Sequence, residues 1–230
     1  FEGFGAVIAG SQMAIPVAHI EGGDITEGGA LDDSVRHAMT KLSHLHFTTN
    51  EEAKSRLIKL GEEPWRVFNV GFPVIDLIKA KKYASYEEIN KKLGIIKEKP
   101  IILFTQHSVS TEFNLAEDQL SPSLEAMIEL ARKDFQIIIT YPNNDAGGKK
   151  IIEQINLLNK LNIKNIQIHD SLGRHIYHGI LSLCGNYLGA CVGNSSSGIK
   201  ETPAFGCPTV NIGSRQDGRL RSTNVIDADY

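Results

Sequence analysis

Short runs of consecutive apolar, largely β-branched residues recur along the chain, and they are its tightest constraint on fold. A strand with one face in water alternates apolar and polar side chains. An unbroken run such as Ile101–Phe104 needs cover on both faces, which a parallel sheet flanked by helices supplies. Val17–Ile20, Leu45–Thr48, Val67–Val70, Ile101–Phe104, Phe135–Thr140, Ile163–Ile168, Leu188–Val192 and Thr209–Ile212 read as strands. Between them, Asp33–Leu42, Glu51–Leu60, Leu120–Ala131, Gly147–Leu161, Gly173–Cys184 and Ile199–Phe205 carry apolar residues at helical spacing. Strand–helix alternation of this kind predicts an α/β fold with parallel sheets. Phe1, Phe4, Val7 and Ile8 already follow helical spacing, so the chain is expected to open inside an element.

The alternation breaks once. Seven lysines (Lys79, Lys81, Lys82, Lys91, Lys92, Lys97 and Lys99) crowd a stretch holding one weak helical pattern, Tyr86–Leu93, and the alternation resumes after Pro100. A linker between two α/β domains, residues 1–82 and 83–230, is the organisation expected; a solvated surface helix within one domain is the alternative. Composition fits a folded core, with 41% hydrophobic and 22% charged residues, and excludes general disorder. With 24 Lys and Arg against 27 Asp and Glu, the net charge of −3 gives no general attraction to nucleic acid or anionic membrane. The longest apolar runs are too short to span a bilayer, and no basic-then-apolar leader opens the sequence. Cys184, Cys191 and Cys207 form no CxxC pair and are odd in number; buried free thiols in a reducing, cytoplasmic setting are expected.

Ligands of open α/β sheets collect beyond the carboxyl ends of the strands, which selects positions before any chemistry is considered. The first predicted strand ends on His19, Glu21, Gly22, Gly23 and Asp24, and the fourth on Gln106, His107 and Ser108. The fifth is followed by Pro142-Asn-Asn-Asp145 and two further glycines, and the seventh by Gly193-Asn-Ser-Ser-Ser-Gly198. The last run leads into Ile199–Phe205, where helix N–H groups and serine hydroxyls suit a phosphate. An ordinary serine N-cap explains the same residues, and neither a Walker A loop nor a GxSxG elbow is present. Glu21, beside two glycines, suits proton transfer if its environment tunes it; a solvated loop glutamate is the plainer reading. Asp32 and Arg36 are four apart, so one helical face can present both. His107 suits phosphate binding or proton transfer. His37, His44, His46, His175 and His178 have no partners at metal-ligand spacing, read as packing or surface residues, and no structural metal is expected.

Together these motifs resemble the hydrolysing UDP-N-acetylglucosamine 2-epimerases: His19-Ile-Glu-Gly-Gly-Asp24, Leu31-Asp-Asp-Ser-Val-Arg-His-Ala38, Gln106-His107, Pro142-Asn-Asn-Asp-Ala-Gly-Gly148, Gly193-Asn-Ser-Ser-Ser-Gly-Ile-Lys-Glu201 and Pro208-Thr-Val-Asn-Ile-Gly-Ser-Arg-Gln216. The resemblance covers nearly the whole chain. It implies a glycosyltransferase-B-type fold of two Rossmann-like domains, with the first incomplete and the chain truncated at both ends relative to the family. It further implies Glu21, Asp32 and His107 as catalytic residues, and His19, Arg36, Asn143, Ser195, Ser196, Glu201 and Arg215 as substrate and UDP contacts. Ser195 and Ser196 would take the diphosphate and Glu201 the ribose hydroxyls. A Gly-Asp-Arg of the family, with a further catalytic Asp, would fall upstream of Phe1.

The chemistry so implied is elimination of UDP to a 2-acetamidoglucal followed by hydration to N-acetylmannosamine, without a cofactor, for sialic-acid-type sugars. A homo-oligomer, as a dimer, is the assembly implied. Glu21-Gly-Gly and Asp32-Asp33 differ from the Glu-Ala-Gly and Pro-Glu-Glu of the non-hydrolysing branch and favour the hydrolysing one. Asp24-Ile-Thr-Glu-Gly-Gly-Ala-Leu also resembles relatives acting on UDP-2,4-diacetamido-2,4,6-trideoxyhexoses, on the route to legionaminic-type sugars. A non-hydrolysing epimerase, a non-catalytic UDP-sugar-binding module and a glycosyltransferase of the same fold stay open as alternatives.

Overall fold

The computed structural model describes residues 2–26 and 30–230, with the side chains at positions 2 and 30–32 also outside the description. Phe1 and the Asp32 side chain therefore lie outside the described residues. The chain divides into two compact units, Phe1–Val74 and Ile75–Tyr230. The stretch to Lys82 groups with the second unit, where Arg174 donates to the Lys82 carbonyl and Ala84 N–H to His175 O.

In the first unit, β1 (Ala18–Ile20), β2 (Leu45–Thr48) and β3 (Val67–Asn69) form a parallel sheet in that order. Helix α1 (Glu2–Gln12) precedes it, and α2 (Ala30–Lys41) and α3 (Glu51–Lys59) are its crossovers. Helix α3 starts where Asn50 accepts the Ala53 N–H at 2.8 Å, with Glu51 and Glu52 in its first turn and Arg56 and Lys59 in its last. Both arrangements match the helix dipole. A buried carboxylate ties the layers together. Glu62, only 2% exposed, takes Lys41 Nζ of α2 at 2.7 Å, Arg66 Nη2 at 2.6 Å and His46 Nε2 of β2 at 3.1 Å.

In the second unit, β4 (Ile101–Thr105), β5 (Gln136–Thr140), β6 (Ile166–His169), β7 (Gly189–Gly193), β8 (Thr209–Ile212) and β9 (Val225–Ala228) form one parallel sheet of order β6-β5-β4-β7-β8-β9. Successive residues of β4 point to opposite faces. Ile101 and Leu103 pack with Ile89 and Leu93 of α5 (Tyr86–Leu93) and Ile176, Ile180 and Leu183 of α8 (Gly173–Asn186). Ile102 and Phe104 pack with Leu120, Leu124 and Met127 of α6 (Ala116–Arg132) and Ile151 and Ile155 of α7 (Gly148–Lys160). Every residue of β4 and β5 is buried, as the unbroken apolar runs require. Cys184, Cys191 and Cys207 are free and buried against this core.

Three expectations need revision. The stretch Ile199–Phe205 is not one helix but two single turns, Ser197–Lys200 and Thr202–Phe205, broken at Glu201 (φ −111°) ahead of Pro203, which has no N–H to continue a ladder. Helix α6 begins before the apolar pattern does, at Ala116. Strand β9 carries too little apolar periodicity to read from sequence, and the short α4 (Val74–Lys79), with Val74, Ile75, Leu77 and Ile78 at helical spacing, is only six residues long. Among the described residues, no helix is long and apolar enough to cross a membrane.

Burial alone raises the Glu62 pKa; the Lys41 hydrogen bond and charge, then His46 and Arg66, outweigh it and hold the carboxyl below the ordinary glutamate value. A carboxyl with a lower pKa folded than unfolded lends stability that is complete above the unfolded value and fades as pH falls. Glu62→Gln should therefore cost about 3 kcal/mol at pH 7, the order found on breaking a buried ion pair. The cost should shrink toward pH 3, read by urea unfolding across that range. A pH-independent cost would contradict the ion network.

Candidate active site

In the second sheet the chain leaves β4 in one direction toward β5 and β6, and later returns to its other side at β7, β8 and β9. That reversal opens a crevice at the carboxyl ends of β4 and β7. Gly193 closes β7 with φ +127°, and a Cβ there would collide with the Thr105 backbone on β4, so only glycine fits.

Asn194, fully buried, comes next. Its Oδ1 accepts the His107 N–H at 2.7 Å and its Nδ2 donates to His107 O at 2.9 Å. One amide thus replaces both ladder partners that the backbone loses as β4 ends. The Asn194 carbonyl accepts in turn from Gln216 Nε2 at 2.8 Å and Arg215 Nη1 at 3.2 Å. His107 is thereby fixed in position.

The ring of His107 is fixed in tautomer as well. The Asn143 N–H donates to Nδ1 at 3.0 Å, so Nδ1 is the acceptor and Nε2 carries the proton. Asn143 Oδ1, at 3.2 Å from the same nitrogen, then makes contact without a hydrogen bond. Burial, with the Arg215 guanidinium nearby, pulls the ring pKa down to about 4 against the opposing pull of Asn143 and Asp145. The ring is neutral at physiological pH. Asp145 accepts from Asn143 Nδ2 at 2.7 Å and pairs with Arg215 Nη2 at 3.3 Å.

A cavity of about 370 Å³ opens here, and its walls include His107, Ser195, Ser196 and Glu201, with Thr140, Asp170, Arg174, Tyr177 and His178. Four of the expected site residues therefore line one pocket. Asn143 and Arg215 stand behind His107 and are not part of its walls. The helix after the serines is a single turn. It carries little of a full helix dipole, so hydroxyls and loop N–H groups must supply most of any anion binding.

Sequence reading missed two partners here. His178 is buried and paired, its Nε2 2.8 Å from Glu201 Oε2, and its ring packs near Tyr177 and Phe205. Its Nδ1 has no hydrogen-bond partner, so the proton belongs on Nε2, donated to the carboxylate. The two residues lie 23 apart in sequence, beyond any local spacing rule. Asn194 was legible only as a phosphate-loop residue.

The first unit gathers the remaining expected residues around the end of β1. Glu21 adopts φ +65°, an uncommon conformation for a residue with a Cβ and one found disproportionately at functional sites. A Cβ on Gly22 would meet the His19 ring at 2.9 Å, and one on Gly23 the Ala53 carbonyl at 2.5 Å. Both glycines are thus required by packing around Glu21. Thr40 Oγ1 spends its proton on Arg36 O at 3.1 Å and so accepts from His19 Nδ1–H, also at 3.1 Å. Burial first, then the electrostatic influence of His46, Arg36 and His37, lowers the His19 pKa to about 4. Arg36 bonds Asp33 Oδ1 at 2.5 Å and the Asp24 carbonyl at 3.0 Å. Its recorded carboxylate partner is thus Asp33, three residues away, while the Asp32 side chain is outside the described residues. Among the described residues no cluster of His, Cys, Asp and Glu is arranged to hold a metal ion.

Asn194→Asp keeps the shape but removes the donor to His107 O, which should cost about 1–3 kcal/mol in denaturant unfolding. The His107 ring should titrate near pH 4 by NMR; a midpoint above 6 would overturn the neutral-donor assignment.

The sequence model of the family described as UDP-N-acetylglucosamine 2-epimerase matches residues 1–230. The chain is 37% identical over 217 residues to the GDP/UDP-N,N'-diacetylbacillosamine 2-epimerase (hydrolyzing) of Campylobacter jejuni, covering 94% of this chain and 55% of that protein. It is 37% identical over 224 residues to the UDP-N,N'-diacetylbacillosamine 2-epimerase (hydrolyzing) of Legionella pneumophila, covering 97% and 56%. The crystal structure of UDP-GlcNAc 2-epimerase from Neisseria meningitidis bound to UDP-GlcNAc superimposes with a TM-score of 0.71 at 23% identity, covering 90% of this chain and 56% of that one. This likeness fixes the fold as glycosyltransferase-B type, with parallel-sheet units. The chain spans about half the length of the curated relatives it matches. It belongs to the UDP-N-acetylglucosamine 2-epimerase family.

Proposed function

We propose that the protein is a hydrolysing UDP-sugar 2-epimerase, converting UDP-N-acetylglucosamine and water to N-acetylmannosamine and UDP. The observation that carries this reading is the convergence of His107, Ser195, Ser196 and Glu201 on one pocket at the switch point of the second sheet. A nucleoside diphosphate offers matching chemistry, with phosphates for the donors and ribose hydroxyls for the carboxylate.

In the elimination step, a base takes the C2 proton while the C1–O bond breaks and its electron pair leaves with UDP. The C2 hydrogen is not acidic in the substrate, so stabilising the departing diphosphate is the larger task. Donors preorganised toward developing charge do this best. His107 Nε2–H and the two serine hydroxyls are such donors. An adjacent diphosphate also raises the histidine pKa, which lets the ring pass its proton to the leaving phosphate. Water then adds at C1, and a proton returns to C2 on the opposite face. We assign the acid–base work at the sugar to Glu21 and Asp32, with His19 and Arg36 holding the surroundings of Glu21.

A second reading rests on the names of the two 37%-identical relatives, both of which specify diacetylbacillosamine. The same elimination and hydration then act on a UDP-2,4-diacetamido-2,4,6-trideoxyhexose, feeding legionaminic-type rather than sialic-type sugars. Free buried thiols favour a reducing, cytoplasmic setting, and a homodimer is the assembly we expect.

Proton NMR of the whole protein with each UDP-sugar in D2O should show UDP release and a free 2-epimeric sugar deuterated at C2. No exchange at C2 would sink the mechanism, and accumulation of the UDP-linked epimer would move it to the non-hydrolysing outcome. Which sugar turns over faster selects between the two readings. Glu21→Gln and Asp32→Asn should lower turnover at least about a thousandfold, the upper range for loss of a general acid or base, with UDP affinity unchanged. Equal loss of UDP affinity would make these carboxylates structural.

A further inference from the structure

The pocket wall contains a hydroxyl chain of which the roles above use only the last member, Ser195. Tyr177 Oη lies 2.6 Å from Ser197 Oγ, and Ser197 Oγ donates to Ser195 Oγ at 3.1 Å. A serine hydroxyl has one proton to give and two lone pairs to offer. With its proton spent on Ser195, Ser197 can only accept from Tyr177. The chain therefore has one direction: Tyr177 to Ser197 to Ser195. Ser195 has accepted and still holds its own proton, on a side chain that lines the cavity.

We propose that Tyr177 is a positioning residue which, through Ser197, aims the Ser195 hydroxyl proton into the pocket as a donor to the diphosphate. The proposal rests on the UDP reading above. Without the phenol, Ser197 is free to turn its proton elsewhere, and Ser195 can satisfy itself by donating back to Ser197. The anion then meets a lone pair in place of a proton. Two features keep the chain directed. Burial, with Cys191 and Glu201 nearby, holds the Tyr177 phenol well above its ordinary pKa, so it stays a donor. Hydrogen bonds in series also polarise one another, so the last proton is a better donor than that of an isolated serine. A single helical turn after Ser196 lends little dipole, which makes hydroxyl orientation count for more.

The neighbouring residue supplies an internal control. His178 acts on Glu201, and so on the ribose end, whereas Tyr177 acts on Ser195, and so on the phosphate end. Calorimetry on the full 230-residue chain with UDP and with uridine separates the two. Tyr177→Phe and Ser197→Ala should each weaken UDP about tenfold, the size of one hydrogen bond to a charged group, and leave uridine unchanged. The double variant should be no weaker than either single one, because both cut the same chain. Glu201→Gln should weaken UDP and uridine alike. Equal losses for both ligands in the Tyr177 and Ser197 variants, or no loss in either, would overturn the relay. Should Tyr177→Phe lower the melting temperature, Ser197→Ala tests the same link with the phenol in place. Failure of the unsubstituted chain to bind UDP would overturn the UDP reading itself, a result distinct from an unchanged UDP-to-uridine ratio.

Discussion

The two hydrogen bonds between the Asn194 side chain and the backbone of His107 are the constraint on which the second unit's pocket depends. At the end of a parallel strand the ladder stops, and the next N–H and C=O need new partners or water. Here both go to one buried amide from the neighbouring strand's end. The sheet therefore hands its rigidity to the first residue beyond it. The neutral ring of His107, the serines that follow Asn194 and the bonds from Arg215 and Gln216 all hang from that junction. A histidine on a free loop would spread over many orientations and lose the benefit of preorganisation.

The first unit uses a different device. Glu21 occupies a left-handed backbone conformation, and the two glycines after it leave no space for side chains. A neutral His19, locked through Thr40 to the backbone of α2, packs against that turn. The Glu62 network supplies the rigidity beneath, joining α2 and β2 to the residues leading into β3. In both units, a functional group at a strand end is held by neighbours that are themselves anchored by hydrogen bonds to the surrounding elements.

Much of this was legible in the residues. Unbroken apolar runs at Ile101–Phe104 and Phe135–Thr140 declared a sheet covered on both faces, and β4 and β5 are buried at every position. The rule that ligands gather at strand ends brought His107, Ser195 and Ser196 into view, the family resemblance added Glu201, and all four line one cavity. What stayed hidden depended on direction or distance in space. Asn194 reads as one more polar residue in a serine loop until the sheet order turns its side chain toward His107. His178 carries a local pattern of burial only, because its partner comes from a different element. Strand β9, with three of its four residues exposed, has no core face to impose a pattern. The apolar spacing of Ile199–Phe205 spoke for one continuous helix, and the missing N–H of Pro203 decided the outcome.

The three cysteines carry a consequence of their own. They sit within the core on the side of the sheet covered by α5 and α8, and none is bonded to another. Burial pushes the Cys191 thiol up to about 12, and the Cys207 thiol with burial raises Cys184 well above its ordinary value. Alkylating reagents attack the thiolate, so all three are shielded by burial, and Cys184 and Cys191 by protonation as well. Each becomes reactive only when this layer parts from the sheet. The rate of their modification is thus a ready-made clock for the opening of the layer that carries Tyr177 and His178, readable without introducing any label into the chain.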